Sequence, residues 1–128
     1  PNTGAFTTIS ASGQITANGG TALLPALTTT GDTNTGVWFP AADTIAASTA
    51  GVERLRVTST GLVGIGTTSP NAAAILDVQS TTKGIRFPNM TTTQKNAMAN
   101  VAGMQVFDTT LSKMCFNTGS AWETITSA

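Results

Sequence analysis

Residues 52–66 read VERLRVTSTGLVGIG, and this stretch decides the fold class. Alternation places Leu55 and Val57 on one face of a strand and two arginines on the other, as in a strand with one buried and one solvated side. The letters TSTG at 58–61 predict a hairpin turn in which Gly61 takes a positive φ, and a second apolar run follows at once. The stretch therefore predicts an antiparallel β-hairpin within a mainly β protein.

Short apolar runs bounded by turn residues continue on both sides of this hairpin, which is typical of many short strands. Two segments instead predict short helices: a Ser-Pro start leads into the alanines at 72–74, and a second helix is predicted at 91–98. Further strands are predicted at 37–39, 43–47, 75–78, 85–87, 104–107, 114–116 and 121–125, with looser apolar runs at 6–9, 14–17 and 21–27.

A short pattern occurs twice, as GVWFP at 36–40 and as GIRFP at 84–88. Such self-similarity is typical of elongated structural β proteins built from stacked units. In each copy we expect the glycine to open an equivalent strand, the phenylalanine to point into an interior and the proline to end the strand. The predicted anchors of the repeat are Gly36, Phe39, Pro40, Gly84, Phe87 and Pro88.

The composition leaves little material for a monomeric core. Aromatic residues make up 5% of the chain and charged residues 9%, the latter about a third of the usual share. We therefore expect further copies of the same chain to cover much of the surface. Disorder of the whole chain is the competing interpretation, and the recurring apolar runs argue against it. Most of the methionine, phenylalanine and cysteine residues follow residue 86, where Met104, Phe107, Met114 and Phe116 are predicted to form one cluster.

The charge pattern argues against several kinds of partner. Six basic and six acidic residues cancel, and no basic cluster exceeds the pair Arg54 and Arg56, so a nucleic-acid partner is not expected. No apolar stretch approaches the length of a bilayer span and no N-terminal signal is visible, so neither membrane insertion nor conventional secretion is expected. Cys115 is the single cysteine and cannot form an intrachain disulfide.

We expect no catalytic residues, no cofactor and no metal. The sequence has no histidine, which removes the usual base for a Ser or Cys nucleophile and a common zinc ligand. Asp32, Asn34 and Asp43 only partly resemble a calcium loop, because an aliphatic residue holds the glycine position, and a turn is the favoured interpretation. A pair of carboxylates could hydrolyse glycosides, but the six candidates are dispersed: Asp32, Asp43, Glu53, Asp77, Asp108 and Glu123.

Seven blocks of the sequence carry a resemblance to a known family. They are GDTNTGVWFPAADTI at 31–45, ERLRV at 53–57, GIGTTSP at 64–70, LDV at 76–78, GIRFPNMTTTQK at 84–95, GMQVF at 103–107 and NTGSAWE at 117–123. Together they resemble repeats and the C-terminal part of tail fibre and appendage proteins of tailed phages, from about residue 20 to the end.

The resemblance implies an elongated, homotrimeric fibre of intertwined β chains that ends in a small C-terminal β knob. Within it we expect residues 1–35 to form an N-terminal stem or attachment segment, 36–66 a β-repeat shaft and 67–128 the knob. Longer relatives often continue into a self-cleaving intramolecular chaperone, and no segment after Trp122 is expected to be that domain. The first residue, Pro1, fits either loss of an initiator Met or a fragment of a longer fibre.

In function, the resemblance implies a structural virion protein involved in host attachment. Such a protein is made in the host cytoplasm and joins other virion proteins at its N-terminal end. A glycan-binding adhesin tip, a capsid decoration protein and a hydrolytic tailspike remain alternatives. Host glycan contacts would fall on Trp122, Asn117 and Thr118, near the expected distal end. A Trp within a strand is more often a core or interface residue, and this interpretation is favoured for both Trp122 and Trp38.

Overall fold

The structure, a computed structural model, describes residues 12–13 and 16–126. It divides into two units, the first ending at Thr82 and the second starting at Lys83. The predicted apolar run at 6–9 and the first two residues of the run at 14–17 lie outside the described residues. The boundary between the units differs from the expected shaft–knob boundary at residue 66, because strands on both sides of that position pair in one sheet. The three-part division of the fibre stays a prediction.

A six-stranded sheet forms the first unit, and its strands lie side by side in chain order. Neighbouring strands are antiparallel except for the last pair, β5 and β6, which is parallel. The strands are β1 (Leu27–Thr29), β2 (Asp32–Trp38), β3 (Ile45–Thr49), β4 (Val52–Val57), β5 (Val63–Ile65) and β6 (Leu76–Val78).

Turns with positive φ connect the antiparallel strands of this sheet. Gly61, with φ 81°, closes the turn between β4 and β5, so the hairpin predicted at 52–66 is confirmed. Between β3 and β4 the two connecting residues are Ala50, with φ 51°, and Gly51, with φ 72°. Positive φ at both positions is the type I′ geometry that matches the twist of a hairpin.

Strand register places one apolar residue of every strand in a single row across the sheet. The pairs are Leu27 with Val37, Val37 with Ala47, Ala47 with Leu55, Leu55 with Ile65 and Ile65 with Val78. A second row lies two residues away along each strand and therefore on the same side of the sheet; it runs from β3 to β6. The two rows make up what we call the apolar face: Leu27, Val37, Ala47, Leu55, Ile65 and Val78, with Ile45, Val57, Val63 and Leu76.

No residue of the apolar face is buried within the single chain. The buried positions of the sheet carry small side chains on the opposite side, where Ala46 is 0% and Ser48 2% exposed. That side also holds Trp38, paired with Ala46, and Arg56, which forms a two-pronged ion pair with Glu53 at 2.7 and 2.8 Å. The sheet therefore has one charged, internally bonded face and one face of uncovered aliphatic side chains.

The second unit contains a four-stranded sheet in the order β10-β9-β8-β7 and one short helix, α1. Thr91 caps the helix: its Oγ1 accepts from the Gln94 backbone N–H at 3.3 Å, and Gln94 Oε1 accepts from the Thr91 N–H at 2.9 Å. The helix predicted at 91–98 is thus confirmed. The elements are β7 (Asn89–Met90), α1 (Thr92–Asn96), β8 (Gln105–Asp108), β9 (Lys113–Asn117) and β10 (Trp122–Thr124).

The predicted apolar cluster lies on the less buried side of this sheet. Phe107 pairs with Met114, and Phe116 follows on the same side, with all three half-buried. Met104 precedes β8, where no strand register assigns it to this side or to the other side, so one cluster of all four residues stays a prediction. The fully buried positions, such as Val106 and Cys115, lie on that other side.

The prediction of equivalent strands at the two GxxFP segments is wrong. Gly36 lies in the middle of β2, where a Cβ would collide with the Leu27 carbonyl oxygen, so close strand approach is what demands glycine there. Gly84 has open space around it, and residues 84–88 lie outside the strands. Phe39 is 39% exposed rather than directed into an interior. The two segments share residue types but not strand partners.

The predicted helix after Ser69 is also wrong. The side-chain Oδ1 of Asn71 accepts a hydrogen bond from the Ala73 N–H at 2.9 Å, and the backbone carbonyl oxygen of Asn71 accepts one from the Ala74 N–H at 3.0 Å. This Asn turn satisfies the backbone groups that a helix start would need, and the chain then enters β6.

Candidate functional site

A buried ion pair joins the helix of the second unit to its sheet. Lys95 lies on α1 and is 4% exposed, and Asp108 ends β8 and is 0% exposed. Lys95 Nζ lies 3.0 Å from Asp108 Oδ2. The capping box fixes the helix start one turn before Lys95, which directs the ammonium group towards the end of β8.

Hydrogen bonds satisfy both oxygens of the Asp108 carboxylate. Thr92 Oγ1 donates to it at 2.8 Å, and the backbone N–H groups of Thr110 and Leu111 each donate to Oδ1 at 3.0 Å. Burial alone would raise the pKa of Asp108, but the bonds from Thr92 and Leu111 and the charge of Lys95 outweigh it and lower this pKa to about 2. Asp108 is therefore ionised across the physiological range.

Lys95 has two neighbours besides its carboxylate partner. Its Nζ lies 3.6 Å from Cys115 Sγ and 5.9 Å from the centre of the Trp122 ring. Burial alone would lower the pKa of Lys95, but the hydrogen bond and charge of Asp108, with Cys115, raise it instead. A lysine held protonated in this way is neither a nucleophile nor a general base, so the cluster is built to hold α1 on the sheet.

The turn between β9 and β10 brings together the three residues predicted to contact glycan. Asn117 is 1% exposed, its amide donates to Asn100 Oδ1 at 3.0 Å, and its Oδ1 accepts from the Gly119 N–H at 2.8 Å. Thr118 is exposed, and its Oγ1 accepts from the Ala121 N–H at 3.2 Å. Trp122 is half-buried, and its Nε1 has no hydrogen-bond partner among the described residues. Glycan contact at this turn stays a prediction.

Two other acidic residues singled out from the sequence have internal partners. Glu53 pairs with Arg56, and Asp77 Oδ2 accepts from the Asn71 N–H at 2.9 Å and from Gln79 Nε2 at 3.0 Å. Asp43 lies in a turn with φ 57°. Among residues 12–13 and 16–126, no three His, Cys, Asp or Glu side chains lie close enough to hold a metal ion. None of the helical segments in the described part of the chain has the length and apolar character needed to cross a bilayer.

The buried Lys95–Asp108 pair is the part of the site that sequence reasoning missed. From the sequence, Asp108 stands out only as one of six dispersed carboxylates, and in the structure it accepts bonds from the backbone N–H groups of Thr110 and Leu111, as a turn aspartate does. The sequence does contain a signal for the position of Lys95. A Thr-x-x-Gln capping box at 91–94 places Lys95 on the first turn of a helix, and the strand that follows this helix ends in Asp108.

Comparison with known proteins gives a match to a protein family. A family model described as the phage tail like trimerisation region matches residues 64–128, which are 65 of the 128 residues. The match starts in β5 and includes β6 and the whole second unit, with its buried ion pair. No curated protein matches the chain, and no solved structure does. By the extent of this match, the chain belongs to the phage tail-like trimerisation region family.

Proposed function

We propose that this chain is a structural protein of a tailed-phage virion, a homotrimeric fibre that takes part in host attachment. The observation that carries the proposal is the match of residues 64–128 to the phage tail-like trimerisation region. The burial pattern is consistent with assembly: among the described residues, the buried apolar side chains are those of Pro25, Ala46, Val106 and Cys115, which is little core for two units. Packing between copies would supply the missing buried area.

In this proposal the parts of the chain have different tasks in the fibre. Residues 1–35 attach to other virion proteins, 36–66 form the shaft and 67–128 form the knob that faces the host. The chain is made in the host cytoplasm and then incorporated into the particle. It has a structural rather than a catalytic task, in keeping with the family described as a trimerisation region.

The oligomeric state tests the core of the proposal. Sedimentation equilibrium and native mass spectrometry of the recombinant chain should give three times the chain mass of 12.9 kDa. A well-folded monomer at micromolar concentration would contradict the fibre assignment. Gold-labelled antibodies against the chain should decorate the tail in electron micrographs of the particle, whereas labelling spread over the capsid would favour a decoration protein.

A glycan-binding tip is the second candidate, supported by the half-buried Trp122 and the exposed Thr118 at the two ends of the β9–β10 turn. Screening the full chain on a glycan array tests it. The variant Trp122→Phe retains an aromatic ring for Lys95, and Trp38→Phe in the first unit is the matched control. Binding that Trp122→Phe weakens and Trp38→Phe does not would support the tip. Absence of any bound glycan would leave host attachment to a protein receptor.

A further inference from the structure

In the described part of the chain, every residue of the apolar face of the first unit is exposed or half-buried, and none is buried. Its ten residues are all Ala, Val, Leu or Ile, and the outer ones are widely exposed: Leu27 is 54%, Ile45 49% and Leu76 53% exposed. Single exposed apolar residues are ordinary, but a continuous patch that spans six strands marks an interaction surface. The patch offers side chains that neither hydrogen-bond nor carry charge, so its occupant must be apolar as well.

The patch is continuous with the region that matches the trimerisation family. That match begins at Gly64, so Ile65 on β5 and both Leu76 and Val78 on β6 lie inside it. The same two rows continue, strand by strand, through β4 and β3, and the longer row reaches β1. A copy that packs on β5 and β6 therefore meets an unbroken aliphatic surface that leads to the N-terminal strands.

We propose that the apolar face is an interface between copies of this chain. Assembly then extends over residues 27–63, which precede the matched trimerisation region. The inference rests on the proposed homotrimer and adds the surface by which the first unit takes part in it. The opposite side of the sheet is unsuited to this task, because it is already covered within the chain: Ala46 is 0% and Ser48 2% exposed, and the Glu53 side chain, paired with Arg56, is 7% exposed.

Thiol labelling in the full chain tests which side is covered. Leu55 lies at the centre of the apolar face and is 36% exposed in the single chain, whereas Thr30 lies in the exposed β1–β2 turn. The native thiol of Cys115 is 0% exposed and gives a low background. We expect the Leu55→Cys thiol to react with maleimide more than about tenfold more slowly than the Thr30→Cys thiol, and both to react fully after denaturation.

The labelling outcomes separate this inference from the proposed function. A wild-type chain that sediments as a monomer overturns the proposed function and the inference with it. A trimer in which Leu55→Cys reacts as fast as Thr30→Cys overturns only the inference, and leaves the face for another virion protein. A trimer in which Leu55→Cys is protected supports both.

A charge substitution gives a second, independent measurement. Leu55→Glu places a carboxylate in the interface and should raise the dissociation constant of the trimer more than about tenfold, while Thr30→Glu should sediment like the wild type. Circular dichroism shows whether the variant keeps its β structure. A Leu55→Glu chain that assembles as tightly as the wild type overturns the inference. If this variant does not fold at all, the labelling rates of Leu55→Cys decide.

Discussion

Lys95 and Asp108 form an ion pair that is closed to solvent, with Nζ 3.0 Å from Oδ2 and both residues less than 5% exposed. Among the described residues, the other buried side chains are uncharged, such as those of Ala46, Ser48, Val106 and Asn117. Such a pair contributes little net stability relative to an apolar pair, but losing one member leaves an uncompensated buried charge. The pair therefore fixes how α1 sits on β8 rather than supplying most of the folding free energy.

Removing one member of this pair should be costly. We expect Lys95→Met to lower the free energy of unfolding by about 3–5 kcal/mol, because Asp108 would stay buried without its cation. Lys113→Met, on an exposed side chain of β9, is the matched control and should change little. Denaturant unfolding at one fixed protein concentration measures both, since assembly contributes to stability. Equal effects of the two substitutions would contradict a structural role for the pair.

The pair also predicts an acid limit to stability. The pKa of Asp108 is lowered from 3.8 to about 2 in the fold, so the folded state binds fewer protons than the unfolded state in this window. Its stabilising contribution is complete above about pH 4 and is lost as the pH falls towards 2. The pKa of Lys95 is raised from 10.5, so its contribution is complete below pH 10.5 and is lost above it. Melting temperatures of wild type and Asp108→Asn between pH 5 and 2 should converge as the pH falls; a constant difference would contradict the assignment.

A substitution in the turn between β3 and β4 should stabilise the folded protein. Ala50 holds a φ of 51°, which is unfavourable for a residue with a Cβ. We expect Ala50→Gly to raise the stability by up to about 1 kcal/mol, against the usual direction for this substitution. Gly51→Ala should act oppositely, since its φ is 72° and a Cβ would lie 2.6 Å from Leu23 Cδ2. Thermal unfolding of the two variants checks the sign of each effect.

The two glycines of the repeated pattern should respond differently to alanine. Gly36→Ala forces β1 away from β2, because the new Cβ collides with the Leu27 carbonyl oxygen, and should cost about 2–3 kcal/mol. Gly84→Ala meets open space at an exposed position and should stay within about 0.5 kcal/mol of wild type. Equal losses in the two variants would restore the view that these positions are equivalent.

Local patterns predicted the parts of the fold that local chemistry decides. The β4–β5 hairpin follows from period-two alternation and a glycine at the turn, and α1 lies within the helix predicted at 91–98. The strand predicted at 85–87 failed because a strand needs a neighbour to pair with, and none of the described strands pairs with it. Sequence similarity to the segment at 36–40 carries no information about that neighbour.

The candidate site was less predictable, because burial of a polar side chain depends on contacts that are distant in the sequence. The helical position of Lys95 could be read from the capping box, but its burial depends on β8, β9 and β10 together. The apolar face was partly predictable: Leu55 and Val57 were assigned to one side of a strand. Its full extent depends on the register of six strands, which alternation within single strands does not determine.

The register of the first sheet restricts how this chain can change in length during evolution. An insertion of one residue within a strand moves every following side chain of that strand to the opposite side, which would break both aliphatic rows. The sheet already accommodates an irregular register at two places: between Thr28 and Thr29 on β1, and between Ala47 and Ser48 on β3, where Arg54 of β4 has no register partner. Insertions and deletions in related sheets should therefore occur as whole hairpins, within turns, or at these two places.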